Sequence, residues 1–359
     1  MMLYITYQNI TSQYYMGVLK KIMAQCRVFE RTFGKVYYTV YAGQTLYLMS
    51  DKSIVKKEFA VSKRVCNEIL IDWLQKYKIQ RTYIRYNKAD IWFIDFLKKQ
   101  KELDIRSILE INTYPYDGLS QRNSEEDKYY REELCKYINC CTTYAKYDNI
   151  FGISCIPLVN GIDVKEHKVK THHQPKKDIT LIAVAAMATD HGYERILKGM
   201  HEYYQIERER KVYFKLVGEG PVIPYYKRLV EEYCLKEFVI FCGFLQNEAL
   251  DEAYDSADIG IGGLGCYKRG LMAGASIKMR EYCVRGLPAV YGYDDIDFDH
   301  QYFGLKFSND DTLVNIEDVL SFYDGLQDKD YIADMHNYAV KNCSWDKILE
   351  PVIKYFEEV

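Results

Sequence analysis

Short, apolar, β-rich runs alternate with longer amphipathic stretches along almost the whole chain, and no other feature restricts the fold as strongly. In the first half the runs are Leu3–Thr6, Val36–Tyr41, Thr82–Tyr86, Ile105–Ile111 and Ile153–Val159. Amphipathic stretches at Tyr14–Phe33, Ile54–Tyr77 and Ile91–Lys101 lie between them and read as helices. In the second half the strand candidates are Ile179–Ala185, Val212–Val217, Phe238–Phe241, Asp258–Ile261 and Pro288–Tyr291. Helices are expected at Tyr193–Glu207, Tyr225–Tyr233, Asn247–Asp255 and Ser276–Arg285. Strands that are apolar nearly end to end, separated by helices, belong to parallel sheets covered on both faces.

A length of 359 residues suits two domains, at about 100–200 residues each. The break is expected over residues 165–178, a polar stretch containing EHKVKTHHQPKKD with no apolar periodicity. This gives a first domain over 1–164, a second over 179–340, and a terminal helix over 341–359 that crosses back to the first. The fold class is therefore α/β, with two Rossmann-like, doubly wound domains. Such domains bind ligands at the carboxyl ends of their strands, here in a cleft between the two.

Several function classes drop out. No apolar run approaches the ~20 residues of a membrane span, and the N-terminus MMLYITYQNI lacks the basic region and cleavage site of a signal peptide. The cysteine count is 11, which is odd, and no pair is spaced CxxC. That usage suits a reducing, cytoplasmic compartment rather than a disulfide framework. The 7 histidines include no HExxH or HxH, so no metal is expected. The net charge of −3 hides an asymmetry. Residues 1–150 carry 24 Lys and Arg against 17 Asp and Glu, and residues 151–359 carry 24 against 34. A basic first half faces an anionic surface or a phosphate-bearing substrate, or is simply a solvated surface. No nucleic-acid partner is expected.

The most informative segment is Ala257–Gly292, ADIGIGGLGCYKRGLMAGASIKMREYCVRGLPAVYG, which reads strand, glycine-rich loop, helix, turn, strand. Ser276 is the N-cap candidate, and Gly274 and Ala275 before it allow close backbone approach. A helix N-terminus with free N–H groups suits a diphosphate, and Lys278 in the first turn adds a full charge. Glu281 shares a face with Lys278. It either accepts hydrogen bonds from a ribose diol or pairs with Arg285 at i+4. The triplet Gly260-x-Gly262-x-x-Gly265 imitates a dinucleotide fingerprint, but no helix opens directly after it, so nicotinamide cofactors are not expected. KLVGEG at 215–220, FCGFL at 241–245 and DHGYER at 190–195 each sit where a strand of the second domain should end.

Taken in order, VAAMATDHGYERILKG, FKLVGEGP, VIFCGFL, YDSADIGIG and SIKMREYCVRGLPAV resemble the donor domain of glycosyltransferase family 4. CIPLVNGIDV resembles that family's Asn-Gly-Ile-Asp ending of the first domain. LEINTYPYDG and MGVLKKIMAQ resemble its polysaccharide-synthesis branch. The resemblance implies the GT-B fold and retaining transfer of a sugar from a nucleoside diphosphate donor, without metal, to a saccharide or lipid-linked saccharide acceptor in cell-surface polysaccharide synthesis. A non-catalytic subunit and a nucleotide-sugar epimerase stay open as alternatives.

By that resemblance Glu281 binds the donor ribose, while Lys278 and Arg195, with the amides of Gly274, Ala275 and Ser276, meet the diphosphate. His191 stands where many members have lysine, Gly218 and Gly220 flank the base, and Phe244 belongs to the base loop. The first motif glutamate is absent, because position 273 is Ala273. On the acceptor side the candidates are Gly17, Glu110 and Tyr114, with Thr113 and Arg85 nearby, and Glu110 reads equally as a structural strand-end residue. The helix Tyr14–Phe33 carries Lys20, Lys21, Arg27 and Arg31 among Val18, Leu19, Ile22 and Met23. It either rests on an anionic membrane leaflet or packs in the core.

Overall fold

The computed structural model describes residues 1–7, 9, 16–112, 114, 125–144, 146–171 and 177–358. The chain divides into two compact units, one of Met1–Val159 with Trp345–Val359 and one of Asn160–Ser344. The break thus falls before the polar stretch 165–178, whose described residues up to 171 lie in the second unit. Lys170 ties them there, donating to the Asp255 carbonyl at 3.0 Å and to that of Ala257.

Unit 1 is built on nine strands: β1 (Met2–Ile5), β2 (Val36–Ala42), β3 (Thr45–Ser50), β4 (Ser53–Phe59), β5 (Arg81–Arg85), β6 (Arg106–Ile111), β7 (Cys140–Thr143), β8 (Asn149–Ile150) and β9 (Ile153–Pro157). They form one sheet in the order β4-β3-β2-β1-β5-β6-β7-β9-β8. The run from β2 to β9 is parallel, and antiparallel strands close both edges. Its helices are α1 (Met16–Phe33), α2 (Lys63–Lys76), α3 (Ile91–Glu102) and α4 (Glu125–Arg131). Ser62 and Asp90 start α2 and α3 by accepting from the N–H groups of Val65 and Phe93.

Because strand side chains alternate, each strand feeds two cores. Leu3, Ile5, Ile84, Leu109 and Ile111 pack with Leu70, Trp73 and Phe93 on one face. Met2, Tyr4, Tyr83 and Ile108 pack with Ile22 and Phe29 on the other. Residues 54–61, expected to open a helix, instead form β4 and the turn into α2. Their outer edge carries Ile54, Val55 and Phe59 exposed, and it is the cross-strand ladder with β3 that makes them a strand. The apolar side of α1 is spent inside unit 1: Ile22 and Phe29 are fully buried, and Lys21 pairs with a buried carboxylate. This is the core packing that was the second of the two readings of this helix. No described helix is long and apolar enough to cross one.

Unit 2 carries β10 (Ile179–Val184), β11 (Val212–Val217), β12 (Val239–Gly243), β13 (Ile259–Ile261), β14 (Ala273–Gly274), β15 (Ala289–Tyr291), β16 (Asp294–Asp295) and β17 (Gly304–Lys306). Six of these make a fully parallel sheet, β12-β11-β10-β13-β15-β17. Its helices are α5 (Glu194–Tyr203), α6 (Ile223–Glu232), α7 (Asn247–Asp255), α8 (Ile277–Arg285), α9 (Ile316–Asp324) and α10 (Tyr331–Tyr338). Two core clusters cover the two faces, one around Tyr193, Phe214 and Leu320 and the other around Met279, Tyr282 and Tyr291. Two short helices, α11 (Trp345–Ile348) and α12 (Glu350–Glu357), return the chain to unit 1.

Candidate functional site

In unit 2 the chain goes out from β10 to β11 and β12, then returns to the other side of β10 with β13, β15 and β17. The strand order thus reverses at β10, and the loops after β10 and β13 lie side by side at the carboxyl edge there. Four loops meet there, and glycines let them touch. Gly218 has φ +124°, and a Cβ on it would overlap the Ala185 carbonyl oxygen; one on Gly220 would overlap that of Met187. Three backbone bonds lock these loops side by side: Ala185 N–H to the Val217 carbonyl (3.0 Å), Met187 N–H to that of Glu219 (2.8 Å), and Gly218 N–H to that of Gly243 (2.7 Å). The expected base-loop glycines thus act through backbone packing. Phe244, just after Gly243, is half exposed.

The loop after β13 docks on the loop after β10. Leu264 N–H donates to the His191 carbonyl at 2.8 Å, and a Cβ on Gly265 would sit 2.9 Å from Gly192 Cα. Lys268 donates to the Thr189 carbonyl at 2.9 Å and pairs with Glu194, and Arg269 pairs with Asp190 at 3.1 Å. Gly260 and Gly262 of the triplet that imitates a dinucleotide fingerprint have a packing reason. Side chains there would collide with the Tyr282 ring and the Met279 sulfur of α8.

Three groups gather at this edge. The Lys278 Nζ donates to the Tyr193 hydroxyl at 2.9 Å, and burial pulls its pKa down to about 7. The His191 ring stacks on Tyr193, with centroids 5.4 Å apart and planes 10° from parallel. Burial, and then the Lys278 charge, lower its pKa to about 4, so the imidazole is neutral at pH 7. Its Nδ1 accepts the Ala188 N–H at 3.1 Å, which leaves the proton on Nε2 as a donor. The third group is the N-terminus of α8, which begins after Ser276 in extended conformation. The Ser276 hydroxyl does not cap it, so no side-chain cap competes for its first-turn N–H groups. Gly274 is exposed, Ala275 and Ser276 are half-buried, and the Asn160 amide anchors the Ala275 carbonyl at 2.9 Å. Ala273 is exposed beside Asp294 of β16.

Two of the expected residues have other partners. Arg195 is 1% exposed. Its Nε donates to the Thr312 carbonyl at 2.5 Å and its Nη1 to the Leu264 carbonyl at 2.7 Å. Its Nε and Nη1 hold two loops together, while its Nη2 is buried without a hydrogen-bond partner, 3.9 Å from Asp310. Glu281 takes the i+4 pairing, at 3.4 Å from the Arg285 Nε, and lies 3.5 Å from His167 Nδ1; its side chain keeps 19% exposure. One feature carried no local signal in the sequence. Behind the first turn of α8 the buried Arg280 pairs with Asp295 at 2.6 Å and with Asp297.

In unit 1, Glu110 is fully buried. One carboxylate oxygen accepts from the Tyr144 hydroxyl at 2.6 Å and lies 3.3 Å from Lys21 Nζ. The other accepts from the Tyr4 hydroxyl at 2.6 Å and from Arg85 at 3.0 Å. Burial alone would raise its pKa, but Lys21 and Arg85 outweigh that and hold it at about 2. Tyr114 packs on the opposite face of the sheet with Tyr147 and Phe151, so it does not join Glu110. Gly17, near the start of α1, is exposed, and a Cβ there would meet none of the described residues within 4 Å. Thr113 lies outside the described residues.

No family model matches the chain, and no curated protein matches it in sequence. Solved structures do match it in architecture. Sucrose-phosphate synthase from Thermosynechococcus elongatus superposes with a TM-score of 0.67 at 11% identity, over 99% of this chain and 98% of its own. A glycosyltransferase from Rickettsia africae gives 0.69 at 10%, over 99% and 97%. HepE from Anabaena, in complex with UDP, gives 0.70 at 8%, over 100% of both chains. A shared course over the full length, with two parallel-sheet units, gives this chain the GT-B fold of glycosyltransferases.

Proposed function

We propose that the chain is a retaining glycosyltransferase that moves a sugar from a nucleoside diphosphate donor to a saccharide or lipid-linked saccharide acceptor. One observation carries this reading: Lys278, the donor nitrogen of His191 and the uncapped N-terminus of α8 stand together at the carboxyl edge of unit 2, where its strand order reverses. In such a transfer the anomeric carbon gains oxocarbenium character as the diphosphate leaves. Catalysis then needs fixed positive charge and N–H donors aimed at the departing phosphate. Lys278 supplies the charge, His191 Nε2–H and the amides near Ser276 supply donors, and Arg195 holds the loops that carry them. Glu281 takes the ribose hydroxyls while Arg285 fixes its orientation. None of these roles uses a metal. Capsular or other surface polysaccharide is the product class that the sequence resemblance favours.

Calorimetry with UDP and GDP tests the donor site, on wild type and on Lys278→Ala and Glu281→Ala. UDP comes first because HepE was solved with it. Binding of one nucleotide, weakened by both substitutions, supports the reading; no binding of either by folded protein overturns it. Ala273, where the family pattern has glutamate, makes turnover a separate question. Nucleotide binding without release of UDP from any UDP-sugar and acceptor assigns a supporting, non-catalytic role.

A further inference from the structure

The sheet face beneath α1 in unit 1 becomes more polar toward the carboxyl ends of its strands. Two-residue periodicity puts Tyr83 and Arg85 of β5, Ile108 and Glu110 of β6, and Cys140 and Thr142 of β7 on this face. Tyr83, Ile108 and Cys140 share a core with Ile22 of α1. Asn112 follows one residue past the end of β6, two residues after Glu110.

Among the described residues the charges at this end do not balance. Lys21 and Arg85 both pair with Glu110, with side chains 9% and 11% exposed. Two cations around one carboxylate leave an excess positive charge in a nearly closed setting. Glu110 already accepts four hydrogen bonds or ion pairs and has no lone pair left for another donor. The donors, in contrast, are not used up. Among the described residues, Arg85 Nε and both polar atoms of Asn112 are buried without a partner. An unpartnered buried polar group is destabilising, and an unbalanced buried charge more so. The first turn of α1 adds partial positive charge and holds no acidic residue. A neutral sugar would satisfy Asn112 and leave the charge unanswered. A phosphoryl ester answers both, through its anionic oxygens and the sugar hydroxyls beside it.

We propose that this end of unit 1 binds a phosphoryl group, and that the acceptor of the transfer is accordingly phosphorylated. The second clause rests on the glycosyltransferase reading, whereas the binding itself does not. A soluble sugar phosphate and the diphosphate of a lipid-linked saccharide share this chemistry.

The test is a titration of inorganic phosphate and glucose 6-phosphate into protein saturated with UDP, and into Lys278→Ala, in which the unit 2 site is weakened. Both ligands are expected to bind wild type and Lys278→Ala alike, and Asn112→Ala and Lys21→Met are each expected to weaken both at least ~5-fold. Asn112→Ala removes no bond made by the described residues, so its fold is kept even if Lys21→Met loses stability. Polyprenyl diphosphate in bicelles forms the second arm. Tighter binding than glucose 6-phosphate names the lipid source, and the reverse order names the soluble one. Unchanged affinity in Asn112→Ala, or no phosphate binding, overturns the proposal. UDP binding is read in the same experiment, so failure of the donor site is seen separately.

Discussion

The ammonium of Lys278 and the hydroxyl of Tyr193 are 2.9 Å apart, and the Tyr193 ring also stacks on His191. A residue of helix α8 and two residues of the loop after β10 are thereby held as one group at the carboxyl edge of unit 2.

That group makes nucleotide affinity depend on pH. Lys278 titrates at about 7, so it is mostly charged at pH 6 and mostly neutral at pH 8. An anion binds the charged form, and binding above pH 7 takes up a proton. UDP affinity of the wild type should fall about 3–10-fold from pH 6.5 to 8.5. Lys278→Met should bind about 10-fold more weakly at pH 6.5, and its profile serves as the blank for the ionisation of UDP itself. Calorimetry across pH checks both, and parallel profiles for the two proteins would refute the assignment.

Glycine contacts separate steric need from backbone freedom. Gly220→Ala should cost about 2–4 kcal/mol, because its Cβ overlaps the Met187 carbonyl oxygen. Gly243 has φ +65° but open space around it, so Gly243→Ala should cost only about 1 kcal/mol. Hydrogen-exchange protection of β10 and β11 measures the difference. Equal losses would show that the loops yield.

Arg195→Ala should expose the loops it bridges. Losing two bonds to backbone carbonyls leaves those acceptors unpaired, at about 3 kcal/mol in all. Exchange should rise in residues 262–265 and 312–314. Arg195→Lys should not restore protection, because a single ammonium cannot span both carbonyls. Weaker UDP binding with unchanged protection would instead make Arg195 a direct contact.

Glu110 ties acid stability to unit 1. Its pKa is held at about 2, below the ordinary 4.5. A lowered acid pKa gives stability that is present above 4.5 and lost as pH falls toward 2. Glu110→Gln should cost about 3 kcal/mol at pH 7 and remove most of that acid dependence. Trp73, Trp92 and Trp345 all lie in unit 1, so tryptophan fluorescence during urea unfolding reports on this unit alone. An unchanged midpoint would remove Glu110 from the stabilising network.

The strands legible in the sequence are those buried on both faces. Ile179–Ala185 and Val212–Val217 coincide with β10 and β11 to within a residue, because every position there is apolar or hydrogen-bonded in the ladder. The edge strand β4 was not legible, since SIVKKEF has neither alternation nor a continuous apolar run. Nor was β7, whose CCTT is buried but not strongly apolar. Lys278 and Ser276 could be placed because strand, loop and helix lie within one short segment. The loop-bridging bonds of Arg195 were not legible, because its carbonyl partners lie 69 and 117 residues away. The ring around Glu110 draws on Tyr4, Lys21, Arg85 and Tyr144, and only the strand register brings them together.

The return of residues 345–359 to unit 1 sets an order on biosynthesis. Trp345, Leu349, Val352 and Phe356 are all buried, in the same core as Met2, Tyr4 and Phe29. Unit 1 is therefore completed only by residues made after all of unit 2, and unit 2, a continuous stretch, can fold before them. Until then the part of that core which Trp345, Leu349, Val352 and Phe356 fill stays open.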